Sequence, residues 1–600
     1  MKLLSYVMLT VLLLSLGAPL VGAQEAADPW GDPVAPGIEY REYQLPGPVN
    51  VFVTRMDRSN PNVTLESSIG QGRLSGGLET VSSMAQRYNG AVNYWGNEWG
   101  NTNEVVVAIN GYYFDYGSGI PRQGQVHSGW YSKLFDPCES GTGGSGFAWT
   151  LDREAFIGES VRNPVREIHY VRQEEQQNIV SFEKKMSTSS EDSRVFIPFV
   201  SKSFGKQPEP EQVFDGINIK RGDDQLILFT PQYGVNTGTS SNDSLEVLIR
   251  MTSPTLIRDV KDFENLPNGI IEQIFVNRGS TKIPFGHVVL SMHGSKKDAF
   301  MAIGAKKGDE VKILQIIREC NNSPRYYWED TYASIGGAFY FLKDGVINDF
   351  SDKGEAKVRD PRTAIVYNDD YIYFVVVDGR DAWHSKGMTI KELGEFARDE
   401  LGATYGIAED GGGSSTMVVN GEVKNNTYCN IVICKGELFL PLVYNKPGGE
   451  NQETGSPMVK NRIGEPTSVL NQPETLSGDG LPLTEEYYTF SPDATGDILQ
   501  RLVANGMMMV VVVPGDISQI FTGGQEIRTN SQVNVRLGPG TNYGVIESVD
   551  ANTNGIIYGK DNGLNGVRAK DNYWWHVLLD VGDRDVIGWV REPTITKTAQ

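Results

Sequence analysis

The sequence predicts an α+β fold, a mixed-sheet domain with few helices followed by a small all-β barrel. Two observations carry that expectation. Short runs rich in β-branched and aromatic residues dominate, at 49–53, 104–109, 224–230, 245–251, 311–317 and 371–377. Helical patterns are few, with 80–88 and 389–401 the clearest. The second opens at Thr389 with Glu392 three residues later, the spacing of a capping box. Strand and helix signals do not alternate regularly, which disfavours a βαβ layout.

In chain order, residues 1–23 read as a secretory signal peptide. Lys2 supplies a positive start, 3–16 are mostly apolar, and Val21-Gly-Ala23 fits the small-x-small cleavage rule. The mature chain is then expected to begin at Gln24, secreted or at the cell surface. The apolar core is short for a membrane span, and no later run reaches about 18 apolar residues, so no membrane span is expected. Residues 24–445 read as the main domain, with a Pro- and Gly-rich start. Residues 446–484 read as a linker and 485–525 as a small unassigned unit. That unit holds a helix-like 498–504 and an apolar, strand-like 507–513. Residues 526–600 form the last unit. At 600 residues, about three or four domains are expected.

The charge is −21, from 75 acidic against 54 basic residues. No basic run is present, so a nucleic-acid partner is disfavoured. Cys138, Cys320, Cys429 and Cys434 permit disulfides in an exported chain. Cys429 and Cys434 would lie about 17 Å apart along a straight strand, so a bridge between them needs a turn.

The chemistry concentrates at 408–418, Ala-Glu-Asp-Gly-Gly-Gly-Ser-Ser-Thr-Met-Val. Asp410 precedes Gly411, Gly412 and Gly413, which let the backbone bend sharply and approach a ligand. Ser414, Ser415 and Thr416 add three hydroxyls. One carboxylate, bare amides and hydroxyls suit a phosphorylated or polyhydroxylated ligand. A tight polar hairpin is the plainer alternative.

Asp360-Pro-Arg-Thr-Ala-Ile365, Asp378-Gly-Arg380, Ser385-Lys-Gly-Met-Thr389, Leu401-Gly-Ala403 and the DGGGSST segment follow in that order. Together they resemble the phosphodiester glycosidase family. Ala108-Ile-Asn-Gly-Tyr-Tyr-Phe114, 215–221 and the Ile335-Gly-Gly-Ala segment resemble its earlier motifs. The resemblance implies hydrolysis of sugar-1-phosphodiesters, with phosphodiester-linked sugar or polysaccharide as partner. It implies Asp410 and Asp378 as the site acids, and Arg362 as a planar fork for phosphate oxygens. It also implies substrate contacts from Asn110, Gly111, Arg221, Thr363, Gly411, Gly412, Gly413, Ser414, Ser415 and Thr416. Structural readings compete for several of these: an ion pair with Asp360 for Arg362, a turn amide for Asn110 and a turn cap for Asp378. His127 and His384 lie near motifs, where a lone histidine is more often structural. A divalent cation between the carboxylates is compatible with the chemistry, but no EF-hand-like loop supports one, and no cofactor is otherwise expected.

Two departures stand out. Glu409 replaces the family's usual apolar residue, and 435–442 lack the arginine the family carries after its GGGSST motif. They motivate the alternative of a non-catalytic glycan-binding or adhesion protein. Finally, Val533-Asn-Val-Arg-Leu-Gly-Pro-Gly-Thr-Asn-Tyr543, with Trp574, Trp575 and Gly588-Trp-Val590, resembles bacterial SH3 domains. That implies an SH3-like barrel, a bacterial source, and contact with cell-wall or surface glycan through aromatic residues, or a plain spacer.

Overall fold

The computed structural model describes residues 30–135, 144–171, 212–258, 265–319, 328–350, 353–380, 384–427, 434–435, 437–440, 459–462, 500–558 and 564–598. Strands dominate and helices are few, as the α+β expectation requires. The sheets are almost wholly antiparallel. A parallel pair, Gly216–Ile217 beside Leu226–Phe229, makes one of them mixed.

Two sheets position the site. The first has eight strands, with Val49–Asp57, Tyr371–Val377, Arg362–Tyr367 and Tyr405–Ala408 adjacent. Side chains alternate across its faces, as a pleated strand dictates. Ile365, Phe374 and Ile407 enter a core shared with the second sheet. Ala364, Val366 and Val375 face the helix Ile390–Asp399, which buries Leu393, Phe396 and Ala397. That helix starts from the expected capping box at Thr389 and Glu392.

The second sheet has five strands in the order Glu422–Val423, Met417–Val419, Thr102–Asn110, Asn505–Val513 and Val63–Ile69. Its fourth strand corrects the expected division. Met507 pairs with Ile109 on one side and with Ser67 on the other. The strand from the 485–525 segment is therefore an interior strand of the main body, and 24–445 alone does not complete the sheet. The physical reason lies in its composition. An apolar run with both faces buried needs a neighbour along each edge, and Met507, Met508 and Met509 are fully buried. The helix-like reading of 498–504 also fails in part, since Gln500–Arg501 is a strand.

A third, twelve-stranded sheet carries its own core of Ile168, Phe214, Val247, Ile271, Leu290 and Ile313. The C-terminal strands, from Glu526–Thr529 to Ile595–Lys597, form a separate sheet. This unit is docked on the body. Trp574 and Trp589 pack with Val92 and Phe285, Phe285 N donates to the Leu537 carbonyl at 2.8 Å, and Lys570 Nζ donates to the carbonyls of Gln86 and Asn89. Trp574, Trp575 and Trp589 are all buried, so they form no open groove for glycan.

The expected leader, the cysteine side chains and most of the 446–484 linker lie outside the described residues. Within that linker, Val459–Arg462 pairs with Glu437–Leu440. No helix among the described residues is long and apolar enough to cross a membrane.

Candidate active site

The DGGG loop crosses from the first sheet to the second. Glu409 N still donates to the Thr363 carbonyl at 2.8 Å, extending the first sheet, while Asp410 N donates to the Gly111 carbonyl at 3.0 Å, joining the second. The loop then makes a short 3₁₀ turn, Gly412–Ser414, and enters the strand Met417–Val419. Gly412 has φ +60°, and a Cβ there would sit 3.1 Å from an Arg380 guanidinium nitrogen. The cation therefore lies directly against the bare backbone.

Asn110 pins this crossing. Its Nδ2 donates to the carbonyls of Asp410 at 2.7 Å and Gly111 at 3.1 Å. Its Oδ1 accepts from Thr363 Oγ1 at 2.8 Å and Thr416 N at 3.1 Å. The amide is saturated, so Asn110 and Thr363 hold the loop rather than offer groups to a ligand. Gly111 leaves no room for a side chain, since a Cβ would lie 2.2 Å from Ile335 and 2.5 Å from Asn505 Oδ1. The three hydroxyl residues are buried. Ser414 Oγ donates to Asp410 Oδ2 at 2.6 Å, while the hydroxyls of Ser415 and Thr416 have no partner among the described residues. There too, the amides of Gly411 and Gly413 have no acceptor and remain as donors.

Burial pushes the Asp410 carboxyl up to about 6, against the opposing pull of the Ser414 hydrogen bond and the Arg501 charge. Glu409, buried next to it with neither oxygen bonded, is pushed well above the usual range by burial and by Asp410. Glu409 lies in the core. Burial also raises Asp378, although His384, the Asn426 amide and Asn425 all favour its ionised form. Asn425 links it to the loop, donating to Asp378 Oδ1 at 3.2 Å and to the Ser415 carbonyl at 3.0 Å. Asp378 is thus tied through Asn425 to the end of the loop at Ser415, and it is not directly bonded to Asp410.

Two arginine expectations change. Arg362 directs Nε to the Met388 carbonyl at 2.9 Å, and one Nη to the carbonyls of Glu355 at 3.0 Å and Val358 at 2.6 Å. Its fork holds backbone, which leaves only Nη1 for a ligand. Arg221 bonds Ser244, Ser291 and the Met292 carbonyl in the third sheet and does not join the loop.

The cation that does join it belongs to no motif singled out in the sequence. Arg501 Nη1 donates to Ser414 Oγ at 3.3 Å and to Tyr116 Oη at 3.4 Å. Its side chain is buried and its Nε has no acceptor. Among the described residues no carboxylate pairs with it. Arg501 sits in the short strand Gln500–Arg501, just ahead of the strand Asn505–Val513. Arg380 adds a second guanidinium, bonded through Nε to Asp360 Oδ1 at 2.6 Å. No three of His, Cys, Asp or Glu among the described residues converge as a metal site.

This arrangement, one acid on a bare loop flanked by guanidinium groups, suits a sugar phosphodiester. Residues 268–432 match the sequence model of the family described as phosphodiester glycosidase. The matched segment holds Arg362, Asp378, Arg380 and Asp410, whereas Asn110, Tyr116 and Arg501 lie outside it. No curated protein matches the chain. Among solved structures, it is similar to a hypothetical protein from Synechocystis at 11% identity and TM-score 0.42, covering 80% of this chain and 62% of that one. It thus spans less than two thirds of that protein. It is also similar to a Burkholderia pseudomallei protein at 17% identity and TM-score 0.37, covering 63% and 71%. A third is the zebrafish N-acetylglucosamine-1-phosphodiester α-N-acetylglucosaminidase catalytic domain, auto-inhibited by its pro-peptide, at 12% identity and TM-score 0.27, covering 66% and 78%.

Proposed function

We propose that the protein is an exported hydrolase that breaks the glycosidic carbon–oxygen bond of a sugar-1-phosphodiester, releasing the sugar and a phosphate monoester. Extracellular or cell-wall polysaccharide is the substrate class this reading favours. The observation that carries it is Arg501. A guanidinium buried with, among the described residues, only two neutral hydroxyls as hydrogen-bond partners keeps donors free, and an anion would complete them. Asp410 lies one hydroxyl away from it.

In this mechanism Arg501 and the Gly411 and Gly413 amides hold the phosphate and stabilise the charge it gains as the bond breaks. A phosphate monoester leaves readily, so strong general-acid assistance is unnecessary. Asp410, ionised above about pH 6, acts on the attacking water or at the sugar carbon. Asp378 orients the loop through Asn425. Neither departure that favoured a non-catalytic glycan-binding protein counts against this chemistry: Arg501 stands in for the absent arginine, and Glu409 is buried away from the ligand. We read the C-terminal unit, SH3-like in its motif, as a brace for the body rather than a glycan-capture module.

Turnover of N-acetylglucosamine-1-phosphodiesters in water labelled with oxygen-18 tests the reading. Label on the sugar is expected. Label in the phosphate would make the protein a phosphodiesterase, and no turnover of any sugar-1-phosphodiester would defeat the proposal.

A further inference from the structure

Lysine is among the residues least often buried, yet Lys312 is buried within the third sheet. It lies in the strand Glu310–Glu319, directly opposite Asn268 of the antiparallel neighbour Asn268–Val276. Directly opposed residues share a face and stand about 5 Å apart at Cβ. Glu310, two residues before Lys312, shares that face too. Its Oε1 accepts from Asn268 Nδ2 at 3.1 Å and lies 3.8 Å from Lys312 Nζ. One carboxylate oxygen thus meets both an amine and a carboxamide.

The carboxamide is held from its other end. The Thr252 hydroxyl lies against both Asn268 Oδ1 and the Asn268 main-chain carbonyl, the latter at 3.0 Å, and can donate to the first. Thr252 N donates to the same carbonyl at 2.9 Å, which fixes Asn268 at the end of the neighbouring strand. Leu314 and Ile316 continue the face that carries Lys312, and with Leu266 they form a small buried apolar cluster. It limits the water that could compete at the amide carbon. On the other flank, His169 lies opposite Lys312.

An amine, a carboxamide, a carboxylate that reaches both, and a hydroxyl on the carboxamide oxygen are the parts of an amide-forming reaction. We propose that Lys312 and Asn268 join in an intramolecular amide cross-link that staples the two strands. Glu310 takes a proton from Lys312 Nζ, whose electron pair attacks Asn268 Cγ. The Thr252 hydroxyl bonds the oxygen as it becomes negative. Glu310 hands its proton to Nδ2, and the Cγ–Nδ2 bond breaks. The carboxylate then collects the surplus Nζ proton and passes it to the departing ammonia. One Nζ–Cγ bond forms, one Cγ–Nδ2 bond breaks, ammonium leaves, and nothing is oxidised or reduced. No other reactant is needed, so pairing of the two strands is enough to start the reaction.

Peptide mapping by mass spectrometry of the purified full chain, denatured before trypsin, tests this. Without the bond, 262–278 and 308–312 are released as separate peptides. With it, trypsin cannot cut after Lys312, and 262–278 should appear joined to 308–318, lighter than their sum by one ammonia. Glu310→Gln keeps the size and removes the proton carrier, so the joined species should be lost. Lys312→Arg removes the nucleophile and should lose it as well. Separate, unmodified peptides from the wild-type chain would overturn the proposal, and that result stands whether or not either variant folds. Loss of ammonia confined to 262–278, which marks a succinimide at Asn268-Gly269, would overturn it too, as would deamidation at Asn268. Undiminished joining in Glu310→Gln would overturn the mechanism.

Discussion

Replacing Arg501 with methionine should separate activity from stability. The side chain is buried, and methionine fills similar volume without charge. The bonds lost are two, at 3.3 and 3.4 Å to neutral hydroxyls; at that length each contributes no more than about 1 kcal/mol. Against them stands the relief of a buried Nε that has no acceptor, a defect of about 1–3 kcal/mol. The net change in stability is therefore close to zero or favourable by about 1 kcal/mol. Activity should move the other way. Removing the cation that meets the leaving phosphate should lower kcat/KM by about 10²–10³-fold. It should also push the Asp410 carboxyl above its present value of about 6, because the Arg501 charge holds it down. The assay pairs thermal unfolding with a pH profile of sugar release. A marked loss of thermal stability with kcat/KM intact would refute the reasoning, since Arg501 would then be a structural group.

The remaining predictions concern the acid, its neighbour and the fold. If Asp410 works ionised, kcat/KM should rise with pH through a midpoint near 6 and level off above it. Stability should run oppositely. The folded carboxyl lies above its ordinary 3.8, so the native state favours the protonated form; the contribution is intact below about pH 4 and lost as pH rises through 6. Asp410→Asn should lower turnover at least about a hundredfold and stabilise the protein above pH 6 by up to about 3 kcal/mol; full activity in this variant would remove its assignment. Glu409→Leu should raise the unfolding temperature by relieving a buried carboxyl with no partner, about 1–2 kcal/mol, with kcat changed less than about threefold; a loss of stability would mean that Glu409 has a role inside the core. A chain ending at 445 should be insoluble or lack cooperative unfolding in circular dichroism, because Asn505–Val513 is missing from its sheet; a soluble, active fragment would contradict that.

The parts of the structure legible in the sequence are those that depend on local pattern. The strands Ser244–Met251 and Tyr371–Val377, the capped helix Ile390–Asp399 and the bend at Gly412 all carry short-range signals of period, cap or bare backbone. What stays hidden depends on partners remote in sequence. Arg362 reads as a phosphate fork until the carbonyls of Glu355, Val358 and Met388 are seen to occupy it. Asn110 reads as a ligand amide until its four bonds are counted. Arg501 escapes a sequence reading because it lies far beyond the glycine motif it serves. Its signal is an arginine placed four residues ahead of the apolar strand that begins at Asn505, but only pairing with Thr102–Asn110 gives it meaning.

The late arrival of that interior strand sets a timetable for the molecule. Asn505 bonds Gln125, 380 residues earlier in the chain. Contacts so distant are slow to form, since a long loop must close before they contribute. During synthesis the glycine loop and Asp410 emerge well before the strand that completes their sheet and the cation that serves them. A growing or prematurely released chain therefore carries the acid without its arginine. The acid-bearing loop and the arginine beside it therefore share one framework only once the chain has been made through the strand Asn505–Val513.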